Sequence, residues 1–314
     1  MSVKVSICIP AYKRVHFLKR LLNSIANQTY KNYEVIVSDD SDDDSVYNLV
    51  QSYTDTLPIL YYKNTPALGT PRNWMAGMNK ASGEWVKLIH DDDWFADENS
   101  LQQYMDATTS DCKFIFSGYN AYYEETNTYV NKTVTQAAFD KVRNNPYLLI
   151  GDNIIGPPSV LMIHNSIKEY YDAQMKWYVD LEYYITAFNM GKAAYIAMPL
   201  INMSYNDTQV TNFCFDNPSV VIPEALYILQ KHGLSFMNDI MVYDAFWRMV
   251  RNLNIKNLAE FERYKMTYEV PAFLKKIIHH QQPFSNKLLR IGYFSKPLMA
   301  ISYLLNRNNL KVAN

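Results

Sequence analysis

The sequence predicts an α/β fold in which helices flank a mainly parallel β-sheet. Short apolar runs alternate with helical patterns over the first 90 residues. Clusters of aspartates directly follow two of those runs. The chain has 314 residues, 48% of them hydrophobic, which is enough for a sizeable core. Strands that alternate with helices form parallel sheets because each crossover helix packs back onto the sheet.

The first part of the chain has the pattern of four strands joined by three helices. The strands are short apolar runs, the first ended by Pro10, as is typical of buried strands. Ser45 is the expected N-cap of the second helix, and Pro71 opens the third. The predicted strands are 3–9, 33–38, 59–63 and 85–89, and the predicted helices are 16–28, 45–53 and 71–81.

The later part of the chain is less regular and becomes helical after residue 217. We expect strands at 113–119, 128–134 and 159–163, followed by a helix at 177–191. The sequence is thus divided into an α/β domain at 1–215 and a helical C-terminal region at 216–314. The expected helices of that region are 219–232, 235–254, 257–268, 270–280 and 285–305.

Charge and cysteine content exclude several classes of protein. The net charge of −1 provides no general basic field for nucleic acid. Cys8, Cys112 and Cys214 are far apart, which argues against a disulfide framework or a zinc site and favours the cytoplasm. The N-terminal stretch is too short and polar for a signal peptide, and no apolar run reaches bilayer-spanning length.

Residues 265–314 form a basic tail. They contain eight Lys or Arg residues and one acid, Glu269, a net charge of +7. Apolar and basic residues alternate there at helical spacing, and Pro283 and Pro297 are expected to break the run into pieces. The tail is either a helical cap with a solvated cationic face or an in-plane helix at the inner face of an anionic membrane.

The two aspartate clusters point to a ligand site. In open α/β sheets ligands bind beyond the carboxyl ends of the strands, which is where both HDDD and SDDSDDD fall. Adjacent carboxylates repel one another, and Mn²⁺ or Mg²⁺ would offset that repulsion while bridging to phosphates. A solvated acidic turn is the alternative. A calcium loop is rejected because Ser45 and Gln51 replace the Gly and Glu that it requires.

Three further side chains are candidates on their own chemistry. Asp39, at a strand end, is suited to accept a hydrogen bond from a nucleobase N–H group. Arg72, at a helix start, is either a surface residue or a bidentate partner of a diphosphate. His90 is expected to be a satisfied, partly buried side chain rather than a metal ligand.

Four stretches together resemble family 2 glycosyltransferases of the GT-A fold, which are bacterial enzymes that build O-antigen, capsule and related polysaccharides. They are VSICIPAYKR, YEVIVSDDSDDDS, LGTPRNWMAGMNKASGEWVKLIHDDDW and YVDLEYYITA. The resemblance covers roughly residues 1–205, and its specific part is the first 95. It implies transfer of a sugar from a nucleotide-diphosphate donor, by default a UDP-sugar, to a glycan or undecaprenyl-linked saccharide.

The resemblance also implies a role for particular residues. Asp93 matches the metal ligand of the D-x-D region, with Asp91 as a second ligand. Asp180 lies where the family keeps its catalytic base, and Glu182 is the alternative. The acceptor cleft is matched by Gly156, Pro157, Pro158 and Ser159. The implied nucleotide-sugar site consists of Pro10, Ala11, Tyr12, Asp39, Arg72, Asp91 and Asp92.

The sequence departs from the family pattern at four places. His90 and Ser41 replace a common Asp and Gly, and Val179 replaces the acid that usually precedes the base. The late Tyr-Arg-x-His element is present only as MSYNDTQVT, at 203–211.

Two other functions are alternatives to the glycosyltransferase. A sugar-phosphate nucleotidyltransferase would have a glycine-rich loop where this chain has PAYKR, and a non-catalytic carbohydrate-binding protein would not need the three aspartates.

Overall fold

The computed structural model describes residues 4–167, 171–205, 214 and 216–311. Nine strands among these residues form one mixed sheet. Their bounds are β1 Val5–Ala11, β2 Tyr33–Asp39, β3 Ile59–Lys63, β4 Trp85–Leu88, β5 Trp94–Phe95, β6 Cys112–Tyr123, β7 Thr128–Lys132, β8 Leu161–His164 and β9 Lys192–Tyr205. The strand order is β3-β2-β1-β4-β8-β6-β9-β5, and β7 pairs with β6.

The helices of the described residues follow the predicted alternation in the first half and dominate the second. Those of the first half are α1 Val15–Ala26, α2 Ser45–Gln51, α3 Arg72–Met78, α4 Ser100–Asp106, α5 Gln136–Asn144 and α6 Val179–Met190. Those of the second half are α7 Pro218–His232, α8 Ile240–Asn252, α9 Leu258–Glu262, α10 Ala272–Gln281, α11 Asn286–Leu289 and α12 Gly292–Lys311.

The parallel part of the sheet is the part that the sequence predicted. Strand β1 pairs in parallel with both β2 and β4, and β2 pairs in parallel with β3. Every residue of β1 and β2 is buried, as expected for parallel strands covered on both faces. In this register Ala11 lies beside Asp39, so the carboxyl ends of β1 and β2 meet at one edge.

The remaining strands make the sheet mixed. Strand β8 runs antiparallel to both β4 and β6, whereas β6 and β9 are parallel. Strand β5 is only two residues long and pairs antiparallel with the end of β9. This brings Trp94, which directly follows the acidic triplet, against Asn202. The chain directly after the aspartates is therefore joined to the end of the last strand.

Three sequence expectations about helix boundaries are wrong. The predicted helix 257–268 is only the five-residue helix Leu258–Glu262. Asp44, not Ser45, occupies the N-cap of α2, because Asp43 accepts hydrogen bonds from both the amide and the hydroxyl of Ser45. Pro283 does separate α10 from α11, but Pro297 lies inside the continuous helix α12. Pro297 frees only the carbonyl of Tyr293, and water can satisfy that group because Tyr293 is exposed.

The chain divides into two compact units. The first contains the nine strands and helices α1–α5. The second contains helices α7–α12 together with residues 145–153 and 175–181. Its core is apolar and aromatic, with Trp247, Phe246 and Phe273 buried. No helix of the described ranges combines the length and the hydropathy needed to cross a bilayer.

Candidate functional site

The ends of three parallel strands bring several predicted residues together. Pro10 and Ala11 close β1 beside Ser38 and Asp39 of β2. The next backbone amide, that of Tyr12, donates to Asp91 Oδ2 at 3.3 Å. The Tyr12 ring is about half exposed, which leaves a face available to a ligand. The strand pairing alone therefore assembles residues from the ends of β1, β2 and β4 into one edge.

Asp39 is fully buried and bonded on both oxygens. Its Oδ1 accepts from the Ser41 amide at 2.8 Å. Its Oδ2 accepts from the Tyr61 hydroxyl at 2.6 Å and from Lys63 Nζ at 3.2 Å. A carboxylate offers about four acceptor positions. These three contacts therefore hold the group in place and leave it able to accept a further hydrogen bond.

Asp40 shapes the approach to Arg72, a role that the sequence did not predict. Its Oδ1 accepts from Asn64 Nδ2 at 2.9 Å and from the Leu68 amide at 3.1 Å, and its Oδ2 accepts from the Gly69 amide at 2.7 Å. These bonds hold the turn that leads into α3. Arg72 is the first residue of that helix and is exposed, with no ion pair to any described residue.

The acidic triplet is buried rather than solvated. Asp91, Asp92 and Asp93 are almost inaccessible to water, and Arg14 bridges the first two. Its Nη1 donates to Asp92 Oδ2 at 2.8 Å, and its Nη2 donates to Asp91 Oδ1. Burial raises the pKa of Asp91 to about 7 against the opposing effect of Arg14. Arg14 is thus the cation of this site that sequence reasoning missed, although it lies in the quoted PAYKR stretch.

His90, Asp92 and Asp93 form a donor cluster. Each offers one ligand atom, and the three atoms lie within 4.8 Å of one another. His90 Nε2 is buried without a hydrogen-bond partner, so the expectation of a satisfied histidine is wrong. The Trp74 ring packs 4.7 Å from the imidazole and shields it from water. Burial lowers the His90 pKa to about 4, which keeps the ring neutral and able to ligate.

This cluster fits a divalent cation. Burial and the neighbouring Asp92 raise the pKa of Asp93 well above its ordinary value, against the opposing effect of hydrogen bonds from Ser159 and the Ser204 amide. A cation beside it would offset that cost and would use the orphaned imidazole nitrogen. Two carboxylates suit Mg²⁺ and Mn²⁺ alike, and the imidazole favours Mn²⁺. Asp91, the second predicted ligand, pairs with Arg14 instead of joining the three-atom cluster.

Ser159, predicted to line the acceptor cleft, contacts the cluster directly. Its hydroxyl accepts from the His90 amide at 3.0 Å and bonds to the Asp93 carboxylate. Its carbonyl accepts from Lys87 Nζ, which also donates to the Leu161 carbonyl at 3.0 Å. Lys87 is completely buried, a costly place for an ammonium group. It therefore ties β4 to the 3-10 turn Pro158–Val160.

Arg20 supports the triplet through a second set of hydrogen bonds. Its Nη2 donates to the Asp92 carbonyl at 3.1 Å and to Glu124 Oε1 at 2.8 Å. Glu124 in turn accepts from the Ser204 hydroxyl at 2.7 Å, and the Ser204 amide donates to Asp93 Oδ1 at 3.1 Å. The guanidinium also stacks 3.6 Å above the Trp94 ring. Arg20 thereby fixes both the backbone of Asp92 and, through two intermediates, the carboxylate of Asp93.

Replacing Arg20 should weaken cation binding without unfolding the protein. For Arg20→Gln we expect the affinity for Mn²⁺ with nucleotide to fall about 10- to 100-fold, as is usual when an outer support of a metal ligand is lost. Arg20→Lys should be intermediate, because it keeps the charge but not the planar stack. Calorimetric titration measures the affinity, and Arg143→Gln on α5 is the exposed control. Unchanged affinity in a folded Arg20→Gln protein would show that Arg20 does not position the ligands.

Glycine is required at position 156 by the backbone conformation and by the close approach of the Tyr119 ring. Its φ is +97°, and a Cβ there would lie 2.6 Å from Tyr119 Cε1. Gly156→Ala should therefore lower the free energy of unfolding by at least about 2 kcal/mol. Gly292→Ala is the control, since a Cβ at Gly292 meets nothing within 4 Å. Thermal melting of both variants tests this, and equal melting temperatures would contradict it.

The predicted base and its alternative both lie on α6. Asp180 is half-buried, and its Oδ1 is buried without a hydrogen-bond partner. Burial raises the Asp180 pKa to about 7. Glu182 is more deeply buried and accepts from the Thr186 hydroxyl at 3.0 Å. Asp180 is thus the better prepared of the two to take up a proton. Most of the 203–211 element lies outside the described residues.

The sequence is similar to those of known glycosyltransferases. The family model for Glycosyl transferase family 2 matches residues 6–171. Abequosyltransferase RfbV of Salmonella typhimurium is 34% identical over 109 residues, 33% of this chain and 33% of that protein. A Campylobacter jejuni GalNAc(5)-diNAcBac-PP-undecaprenol beta-1,3-glucosyltransferase is 37% identical over 92 residues, 29% of this chain and 30% of its own. The matched region thus spans about a third of each relative.

Solved structures show the same fold. Staphylococcus aureus TarS 1-349 in complex with UDP-GlcNAc has a TM-score of 0.56 at 15% identity, covering 95% of this chain and 79% of that one. Mannosyltransferase PcManGT from Pyrobaculum calidifontis, in complex with GDP-Man and Mn²⁺, has a TM-score of 0.54 at 13% identity, covering 98% and 87%. The strand order, the buried D-D-D run and the family match lead to one conclusion: the chain belongs to glycosyl transferase family 2 and has the GT-A fold.

Proposed function

We propose that the protein is an inverting, metal-dependent glycosyltransferase. It transfers a sugar from a nucleotide-diphosphate donor, a UDP-sugar in our proposal, to a hydroxyl of a glycan or lipid-linked saccharide. The observation that carries this proposal is the buried cluster of His90, Asp92 and Asp93 at the ends of the parallel strands. The solved structures of similar fold were obtained with UDP-GlcNAc and with GDP-Man and Mn²⁺, which supports a nucleotide-sugar donor here.

On the donor side, Tyr12 and Asp39 are proposed to hold the nucleobase. Tyr12 offers an exposed ring for stacking, and Asp39 is held rigidly by Tyr61 and Lys63. Arg72, exposed at the start of α3, is proposed to bond the diphosphate. His90, Asp92 and Asp93 would hold the divalent cation, which neutralises negative charge that develops on the departing diphosphate.

On the acceptor side, Asp180 is proposed to remove the proton from the attacking hydroxyl. A sugar hydroxyl is a poor nucleophile, and transfer of its proton to a carboxylate during attack strengthens it. The unpartnered Oδ1 and the pKa of about 7 suit that task near neutral pH. Attack opposite the leaving diphosphate forms the new C1–O bond as the old one breaks, which inverts the anomeric centre. Glu182 remains the alternative base.

We further propose a role in surface polysaccharide synthesis, such as that of O-antigen or capsule. RfbV is named an abequosyltransferase, and the Campylobacter relative is named for an undecaprenol-linked substrate. A bacterial reaction of this kind would take place in the cytoplasm, peripherally at the inner face of the membrane. The three cysteines are buried and free, as suits a reducing compartment.

Two other functions explain less of the site. A nucleotidyltransferase needs glycine in the loop after the first strand, and residues 10–14 of this chain contain none. A non-catalytic carbohydrate-binding protein has no use for a buried donor cluster, nor for an aspartate that has an unpartnered oxygen and a raised pKa.

Calorimetric titration of UDP, GDP and dTDP, each with and without Mn²⁺, tests the proposal. We expect one nucleotide to bind, and to bind far more tightly when Mn²⁺ is present. If only GDP or only dTDP binds tightly, the proposed glycosyltransferase activity stands, but that nucleotide replaces UDP in the proposed donor. The absence of binding by all three would overturn the donor site and favour the non-catalytic function.

A further inference from the structure

Helix α12 is anchored to the second unit by one face. The hydroxyl of Ser302 bonds to the Tyr243 hydroxyl at 2.7 Å, and Asn306 Nδ2 donates to the same hydroxyl at 2.6 Å. Ser295 accepts from Trp247 Nε1 at 3.0 Å. These residues recur every three or four positions, so they lie along one side of the helix. The buried face consists of Ser295, Met299, Ser302, Asn306 and Leu310.

The opposite side of α12 presents large apolar side chains to solvent. We call it the outer apolar face, and it consists of Tyr293, Ile301, Leu304 and Leu305. Tyr293 is 95% exposed and Leu304 63%. At 100° per residue, Tyr293 and Leu304 point almost directly away from the buried face. Single exposed apolar residues are ordinary, but several on one side of one helix mark a surface that binds something.

Basic residues accompany this face. Lys296 and Arg307 are exposed and lie along one edge of it, three helical turns apart. Lys287 and Arg290 of the preceding segment are also exposed. The sequence contains no acidic residue after Glu269. The outer apolar face is thus accompanied by basic residues, and no acidic residue of this part of the sequence offsets their charge.

We infer that the outer apolar face of α12 docks on the surface of an anionic lipid bilayer. A helix of 20 residues that cannot span the bilayer can lie in its plane. Ile301, Leu304 and Tyr293 enter the boundary between headgroups and acyl chains. Lys296 and Arg307 remain among the headgroup phosphates, where each basic residue attracts anionic lipid.

The same charges argue against a second copy of the chain as the occupant. Two outer apolar faces packed together would bring Lys296 and Arg307 of one copy toward those of the other, with no acid on either helix to compensate. A membrane supplies both an apolar layer and negative charge. The inference concerns binding alone and does not depend on the proposed glycosyl transfer. If both hold, docking brings the enzyme to lipid-linked acceptors.

Sedimentation of the full chain with phospholipid vesicles tests the inference. The vesicles are phosphatidylcholine alone or phosphatidylcholine mixed with phosphatidylglycerol. We expect the protein to bind the mixed vesicles, and added salt to weaken that binding. The doubly substituted variant Ile301→Gln with Leu304→Gln should lower the partition coefficient at least about tenfold. Lys296→Gln with Arg307→Gln should lower it by a similar factor and reduce its dependence on salt.

Met266→Gln is the matched control. Met266 is 71% exposed but lies between helices α9 and α10, outside the outer apolar face, and its replacement should leave binding unchanged. All substituted positions are exposed, so melting temperatures should match that of the wild type. Equal sedimentation of wild type and both α12 variants would overturn the inference. So would a concentration-dependent dimer that is lost in the Ile301 and Leu304 variant, because a second copy would then occupy the face.

Discussion

Asp180→Asn should abolish glycosyl transfer while donor binding survives. We expect kcat to fall about 10²- to 10⁴-fold, the usual contribution of a general base. The reason is that asparagine has the same shape but cannot accept the proton of the acceptor hydroxyl. Asp180 has an oxygen with no hydrogen-bond partner, so the substitution breaks no bond that this oxygen makes in the fold. Initial rates measured with a fixed acceptor, and calorimetric binding of donor nucleotide, separate the two effects.

Glu182→Gln is the matched control for that result. Glu182 lies two positions further along α6, is more buried, and already accepts from Thr186. If Asp180 is the base, the Glu182 variant keeps a rate within about tenfold of the wild type. Full turnover by Asp180→Asn combined with inactivity of Glu182→Gln would transfer the role to Glu182. Full turnover in both variants would show that neither Asp180 nor Glu182 is the base.

The pH dependence of the rate provides an independent test of the same residue. A base acts in its ionised form, and burial raises the pKa of Asp180 to about 7. Below that pH the carboxyl group is protonated, so kcat/KM should fall about tenfold for each further pH unit. Above it the rate should be level. The Asp180→Asn variant should lack this acidic limb, and a limb that persists in the variant would assign the titration to another group.

Asp93→Ala should eliminate metal-dependent nucleotide binding. Asp93 belongs to the three-atom donor cluster, and its loss leaves one carboxylate and one imidazole. We expect the affinity for nucleotide with Mn²⁺ to fall at least about a hundredfold, since even outer supports of metal ligands contribute tenfold or more. Nucleotide affinity measured without Mn²⁺ should change little. Titrations of both proteins at equal concentration measure these quantities.

The Asp93→Ala substitution, although it should weaken binding, should not lower the stability of the fold. Burial and Asp92 raise the pKa of Asp93, so its charged form destabilises the fold near neutral pH. Removing the carboxylate should therefore keep or raise the melting temperature in the absence of metal. Asp106→Ala on the exposed end of α4 is the control and should leave binding intact. Retained Mn²⁺-dependent binding in Asp93→Ala would exclude Asp93 as a ligand.

The sequence by itself determined the parallel half of the sheet. Residues 5–9 and 33–38 are mainly apolar and do not alternate regularly with polar residues, as is typical of a parallel strand buried on both faces. Because parallel strands share their carboxyl edge, the placement of Asp39 and Asp91 at one edge followed directly. The mixed half was not predictable in this way, since the pairing of two-residue β5 with β9 depends on contacts far apart in the chain.

Only the tertiary structure decided how the charges of the site are arranged. The sequence showed three aspartates, but not that Arg14 bridges Asp91 and Asp92 or that Arg20 reaches Asp93 through Glu124 and Ser204. His90 was expected to be satisfied, and its orphaned nitrogen depends on the packing of Trp74. Hydrophobic periodicity is local and is readable from one segment, whereas the burial and pairing of a charge depend on every segment that surrounds it.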